Sequence, residues 1–232
     1  MQLIDFIETD RNLKVATTNY DTVSDGRGLR RELSRTVGVR VKRGTFMKPA
    51  IIVVDMLKDN LKESSRNPFL QEGRTILSNL QRLLVESRKK GFPIIFACDS
   101  FLKDDFIFKS RLKIHSLQGT KGAEVIDDLK PGPTDIILPK RRFSAFFKTD
   151  LDQTLRMLGV DTIIVTGITT EVCVLMTAMD GLSHDFSVII LEDCSASRKK
   201  EFHQGCLNLY RDSTLYPLLR IMTLDEFLKE VS

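Results

Sequence analysis

The chain of 232 residues contains no tryptophan and only three histidines, and its four cysteines, Cys98, Cys173, Cys194 and Cys206, make no CxxC pair. The acidic start MQLIDFIETD lacks the shape of an export leader, so a reduced, cytoplasmic setting is expected. No apolar run is long enough to span a bilayer, which argues against a membrane partner. Neither GxGxxG nor GxxxxGK[ST] occurs, so no nucleotide cofactor is implied. Internal repeats and low-complexity stretches are absent. Without tryptophan, the 14 phenylalanines must supply most of the aromatic lining.

What remains is enough for a sizeable core. Hydrophobic residues make up 42% of the chain, and the net charge of +4 is only mildly basic. The length suits one large α/β domain, alone or with an appendage. Residues 1–47 differ from the rest: apolar runs are few and cations are dense, from Arg27, Arg30 and Arg31 through Arg40, Lys42 and Arg43. One amphipathic helix is predicted near Leu29 to Val37. This segment reads as a solvated extension that packs on the main domain or on a neighbouring subunit. A nucleic-acid-binding arm is the sharper alternative, but no interleaved aromatics or recognition helix support it.

From residue 48 to 232 the pattern is regular. Short apolar runs at Ile51–Val54, Pro93–Ala97, Asp135–Leu138, Ile163–Val165, Ser187–Leu191 and Leu218–Met222 read as six strands. Helices are predicted near Gly73–Lys90, Ala123–Leu129, Asp150–Leu158 and Ser197–Leu209. Another follows Ile168–Glu171, and Gly167 is expected to break the strand before it. A capping box over Thr223–Glu226 opens the last helix. Strands that alternate with helices imply right-handed crossovers and a parallel sheet covered on both faces.

In such sheets, ligands bind at the carboxyl ends of the strands. Asp55, Lys140 and Cys173 stand at or just past the ends of three strands. Singly, each has an ordinary explanation: a helix cap, a surface charge, a core thiol. Together they form a coherent chemical set. Asp55 can take and return a thiol proton. Lys140 supplies positive charge that favours carboxylate and thiolate. Cys173, expected in the first turn of a helix where unpaired N–H groups lower a thiol pKa, is the candidate nucleophile.

Asp55, Lys140 within LPKRRFSAFFKTDL and Cys173 within VTGITTEVCVLMTAMDG resemble the Asp-Lys-Cys triad of the isochorismatase-like cysteine hydrolases. That superfamily includes nicotinamidases and N-carbamoylsarcosine amidases. The resemblance runs from about Lys48 to the C-terminus and takes in HSLQGTKGAEVIDDLKPG. It implies a three-layer α/β/α sandwich around a six-stranded parallel sheet, Rossmann-like in topology, assembled as a homodimer or homotetramer. It also implies a non-proline cis peptide between Ile168 and Thr169, and an oxyanion hole from the backbone N–H groups of Thr169 and Cys173.

Departures from the family pattern bear on the substrate and on metal. The family's DxQxDF reads here Asp55-Met56-Leu57-Lys58-Asp59-Asn60, so Leu57 stands where the glutamine is usual. Nicotinamidases carry a metal site built from an Asp-x-His pair and a later histidine. Asp99 and His115 match two of those positions, but Phe101 replaces the middle one. Two ligands make a poor catalytic metal site, so none is expected, and His115 reads as a loop-bracing residue. Phe101, Phe106, His115, Arg142, Phe143 and Phe146 are candidates for the substrate pocket, with core packing or surface charge as their ordinary alternatives. Arg141 is a further candidate anchor for a substrate carboxylate or a plain surface charge. Cys98, Cys194 and Cys206 read as core or near-surface thiols. His184 and His203 read as exposed.

The expected activity is cofactor-independent hydrolysis of a C–N bond in a small amide or ureido compound through a cysteine thioester. The alternative enzyme is a vinyl-ether hydrolase of the isochorismatase type, which uses Asp55 and Lys140 without covalent catalysis; members of that type usually lack the cysteine. A non-catalytic scaffold or nucleic-acid partner using the basic segment is the alternative of another class.

Overall fold

A computed structural model describes residues 47–62 and 70–232. The basic segment, its predicted helix and all but the last residue of the 1–47 extension lie outside the described residues.

Among the described residues six strands form one all-parallel sheet: β1 (Pro49–Val54), β2 (Ile94–Asp99), β3 (Ile136–Lys140), β4 (Thr162–Ile168), β5 (Ser187–Ala196) and β6 (Leu219–Met222). Their spatial order is β3-β2-β1-β4-β5-β6. The central strands are buried along their whole length, which is why they read as unbroken apolar runs rather than as alternating ones. Their side chains still alternate between faces. Ile51, Val53 and Phe96 pack on one side with Leu80, Leu83 and Leu84 of α3 (Leu77–Lys89) and Phe227 of α7 (Leu224–Glu230). Ile52, Val54 and Val165 face the other side, with Leu155 of α4 (Leu151–Met157), Ala178 of α5 (Leu175–Ser183) and Leu207 of α6 (Lys200–Arg211). The result is the expected three-layer sandwich.

Several local expectations are corrected. The helix expected over Gly73–Lys90 is two: α2 (Leu70–Thr75) and α3, separated at Ile76, with the short α1 (Lys58–Leu61) before them. Ile76 turns into the core, and the Thr75 hydroxyl satisfies the Glu72 carbonyl at 2.7 Å, which offers the backbone an alternative to a continuous helix. Gly91 ends α3 at φ +72°, as its position suggested. The helix expected over Ala123–Leu129 is a pair of single 3₁₀ turns, because Val125 between them bridges to Leu57. Strand β5 runs five residues beyond the apolar stretch, through Glu192 and Asp193. Both charges are answered: Arg211 pairs with Glu192 at 2.6 Å, and Asp193 accepts from the Leu224 N–H at the start of α7 and from Asn79. The capping box at Thr223 is present.

Gly167 does not break β4 but passes it close to β1. The strand continues to Ile168, with a register shift against β5 between Val165 and Gly167. Gly167 adopts φ +100°, and a Cβ there would lie 2.1 Å from the Val54 carbonyl oxygen, an approach only glycine permits. Gly167→Ala is expected to cost at least about 2 kcal/mol, from overpacking against backbone together with a disallowed φ. Urea unfolding measures it; a midpoint within error of wild type would show that the two strands can part without penalty.

Candidate active site

Four adjacent strands each deliver one group to the carboxyl edge of the sheet. Asp55 follows β1 with φ +53°, an uncommon left-handed conformation for a non-glycine residue. Its backbone is held by the Ala97 carbonyl at 2.9 Å and by Asn60 Nδ2, which donates to the Asp55 carbonyl at 2.9 Å. Its Oδ1 accepts from the Asp99 N–H at 2.9 Å. Asp99 ends β2, and Lys140 ends β3 with its side chain fully buried. Lys140 Nζ donates to Asp55 Oδ2 at 2.8 Å, to Asp99 Oδ1 at 2.5 Å and to the Arg142 carbonyl at 3.2 Å. Three acceptors match the three protons of an ammonium.

Cys173 comes from the loop after β4. It lies not in an α-helical first turn, as expected, but in a wider π-type turn over Thr170–Val174 that leads into α5. The Thr169 carbonyl accepts from both the Val172 and Val174 N–H groups, at 3.0 and 3.2 Å. The peptide between Ile168 and Thr169 is cis. The thiol sulfur and one carboxylate oxygen each from Asp55 and Asp99 lie within 4.8 Å of one another.

The charges in this cluster are strongly linked. Burial pushes the Cys173 thiol well above its ordinary value, while the Lys140 charge pulls it down. A hydrogen bond to Asp55 further favours the protonated sulfur. Burial thus works against the thiolate that Lys140 and the N–H groups of the turn were expected to favour. Burial also opposes charge on Lys140, but the neighbouring carboxylates, Asp55 first, outweigh it and hold its pKa well above the usual range. Asp99 is pushed up to about 7 by burial first and by the Asp55 charge second.

The cluster forms the floor of a cavity of about 810 Å³. Phe101, His115, Phe143 and Thr169 line it, as do Arg111 and Arg198, which the sequence reading did not single out. Three candidates fall elsewhere. Phe106 is 72% exposed on the loop after β2. Phe146 is buried in the core, stacked on His184 at 5.0 Å between ring centroids. Arg142 turns toward Asp105 at 3.5 Å and lines a separate groove; only its carbonyl serves the site. Arg141 also pairs with Asp105, whose carboxyl it holds down to about 2. These ion pairs fasten the loop after β2 to the segment after β3. Sequence spacing cannot show that a cation already has a carboxylate partner. Asp99 was read only as half of a metal pair, although its place at the end of β2, between β1 and β3, already put it in the cluster. His203, expected to be exposed, is buried. Cys98 and Cys194 are core thiols, as read, and burial pushes Cys98 up to about 12.

The nicotinamidase-type metal does not fit these residues. Asp99 Oδ1 is occupied by Lys140, and His115 Nε2 stands 4.0 Å from Asp99 Oδ2. His115 Nδ1 bonds the Lys113 carbonyl at 2.8 Å, and the ring packs edge-on against Phe101 at 5.4 Å, the role of a loop brace. Asp55, Asp99 and Cys173 have donor atoms close enough for a cation, but the Lys140 ammonium already sits on both carboxylates.

The three-layer α/β/α sandwich thus carries an acid, a lysine and a thiol at its strand ends. The chain belongs to the isochorismatase family, whose domain model matches residues 49–220. It is similar to an isochorismatase-like hydrolase from Alkaliphilus metalliredigens, at 34% identity over 80% of this chain and 100% of that one, with a TM-score of 0.72. An N-carbamoylsarcosine amidase from Thermoplasma acidophilum is 30% identical over 77% of this chain and 98% of its own, with a TM-score of 0.65. A nicotinamidase from Bacillus subtilis is 28% identical over 76% and 99%, also with a TM-score of 0.65.

Two outcomes are expected. Asp99 binds a proton more tightly folded than unfolded, so it subtracts stability as pH rises from about 4, its ordinary value, to about 7. Asp99→Asn, which carries no titrating proton, should flatten that part of the pH–stability curve. Denaturant midpoints at closely spaced pH values decide it, and an unchanged slope would place the titration elsewhere. Exhaustive chelation should leave turnover intact; loss restored by zinc or iron would mean that Asp99 and His115 recruit further ligands.

Proposed function

We propose that the chain hydrolyses a C–N bond of a small amide or ureido compound, with Cys173 as nucleophile, Asp55 as base and acid, and Lys140 as the fixed charge beside both. The observation that carries this reading is the single cluster of Cys173 sulfur and two carboxylates, with the Lys140 ammonium on both carboxylates, at the floor of one cavity. Because the thiol is protonated at rest, its proton passes to Asp55 as the sulfur attacks the carbonyl carbon. The carbonyl oxygen becomes an oxyanion, to which the N–H groups of Thr169 and Cys173 are assigned. Collapse expels the amine, which leaves with the proton held by Asp55. Water then adds to the thioester, giving its proton to Asp55, and the acid departs as the thiol is restored. Lys140 stabilises the carboxylate before transfer and the sulfur as its negative charge grows.

The vinyl-ether reading is disfavoured by the same cluster, since that reaction has no use for a thiol held against the base. A homo-oligomeric assembly and a cytoplasmic setting belong to the proposal too. A screen of amides and ureides by ammonia release would identify the substrate.

Cys173→Ala should lower amide turnover by several orders of magnitude, on the order of 10³-fold or more, while leaving the fold intact. Wild-type turnover in that variant would end the covalent reading and return the vinyl-ether one. Iodoacetamide should label Cys173 in the intact protein more slowly than a free thiol at neutral pH, because burial keeps the proton on sulfur, and faster as pH rises. Lys140→Met removes the charge that pulls the thiol pKa down, so the alkylation profile should shift to higher pH. Lys140→Arg should not restore it, because a planar guanidinium does not replace a compact ammonium in a buried site. Coincident profiles for wild type and Lys140→Met would remove Lys140 from the tuning of the thiol.

A further inference from the structure

The turn that carries Cys173 is anchored from behind by α6. Thr170 is fully buried, and its Oγ1 lies 2.8 Å from Nδ1 of His203. Cys206, three residues on and so on the same face of α6, directs its sulfur at the Thr170 carbonyl at 3.9 Å. Next along the turn, Glu171 accepts from the Ser197 hydroxyl just before α6. Leu207, one turn after His203, is itself sunk in the core and fixes the helix. His203 is thus joined to one residue of the catalytic turn rather than to its own helix. Burial lowers its pKa below the ordinary value, against the pull of Glu192, Glu171 and Glu72, and Arg211 acts in the same direction as burial. The ring is neutral, and either tautomer completes the contact, because the threonine hydroxyl both donates and accepts.

We propose that His203 is a positioning residue for the nucleophile: through Thr170 it fixes the backbone between Thr169 and Cys173. This rests on the reading of Cys173 as the nucleophile. The argument is one of slack. Only three residues separate Thr169 from Cys173, and both ends must be right at once: one supplies an N–H to the oxyanion, the other a thiol to Asp55. A hydroxyl left unpaired in that buried place would draw the turn toward another partner. No group of His203 reaches the cavity floor, so its influence is on geometry and not on proton transfer.

The experiment compares His203→Leu, His203→Asn and Thr170→Val in the full chain, with iodoacetamide as the probe. It reads the rate and pH profile of Cys173 alkylation by mass spectrometry, beside the melting temperature. Thr170→Val keeps the shape and removes the hydroxyl. The asparagine amide reaches the place of Nδ1, whereas leucine offers no polar atom. Alkylation should slow by about 10- to 100-fold in His203→Leu and Thr170→Val, the range that a misplacement of about 1 Å produces. His203→Asn should recover most of the rate. The double variant Thr170→Val/His203→Leu should be no slower than the worse single one, since both break one link. Wild-type alkylation in Thr170→Val overturns the proposal, as does His203→Asn reacting no faster than His203→Leu at equal melting temperature. If His203→Leu does not fold, Thr170→Val and His203→Asn decide alone. Failure of the underlying reading looks different: Cys173→Ala would then keep wild-type amide turnover, whatever the alkylation rates of the other variants.

Discussion

An ammonium group with no access to water is tolerable only while carboxylates face it, and the carboxylates are tolerable only while it stays. Lys140, Asp55 and Asp99 are bound by that condition. Removing one partner of a buried pair typically costs about 3–5 kcal/mol, because the other is left charged and dry. The rest of the active edge follows from this triad of charges. Lys140 starts on β3 and must reach across β2 to the end of β1, since those strands lie in the order β3-β2-β1-β4. Asp99, on the intervening strand, meets it on the way. Asp55 turns its backbone into a left-handed conformation that the Ala97 carbonyl and Asn60 hold. The strain at Asp55 is sustained by the packing around it and not by the residue itself.

The same charges set the state of the thiol. Burial and the hydrogen bond to Asp55 keep the proton on sulfur, and Lys140 works in the opposite direction. The balance favours the proton on sulfur, beside the Asp55 carboxylate. A separate constraint fixes the spacing of β1 and β4. Gly167 brings β4 against the Val54 carbonyl, one residue before Asp55, and only then does the chain enter the turn that holds Cys173.

Much of this was legible in the sequence because buried parallel strands leave a plain signal. Two strand ends, at Val54 and Met222, fall where the apolar run stops and the others two to five residues beyond it, so Asp55, Lys140 and Cys173 could be singled out as candidates by position, with the family resemblance added to that. The element errors have one physical source, which is that local chemistry was overruled by partners distant in the chain. Glu192 and Asp193 look like the end of a strand until Arg211 and the start of α7 are placed beside them. Gly167 looks like a breaker until Val54 is seen to need the space. Phe106 and Phe146 could not be sorted from Phe101 and Phe143, since a phenylalanine in a loop carries no mark of which way it turns. His203 gave no signal either: its partner Thr170 is 33 residues away, and a histidine within a charged helix reads as solvent-facing.

The burial of Cys173 also bears on how the protein survives between encounters with substrate. Peroxides and disulfides react with exposed thiolates and scarcely with buried thiols, because oxidation follows thiolate character and access. A thiol that is 8% exposed and held protonated by burial offers oxidants little to attack. In the proposed mechanism the burial that holds the proton for Asp55 thus doubles as storage protection, keeping Cys173 in a form slow to be spent on anything but its reaction.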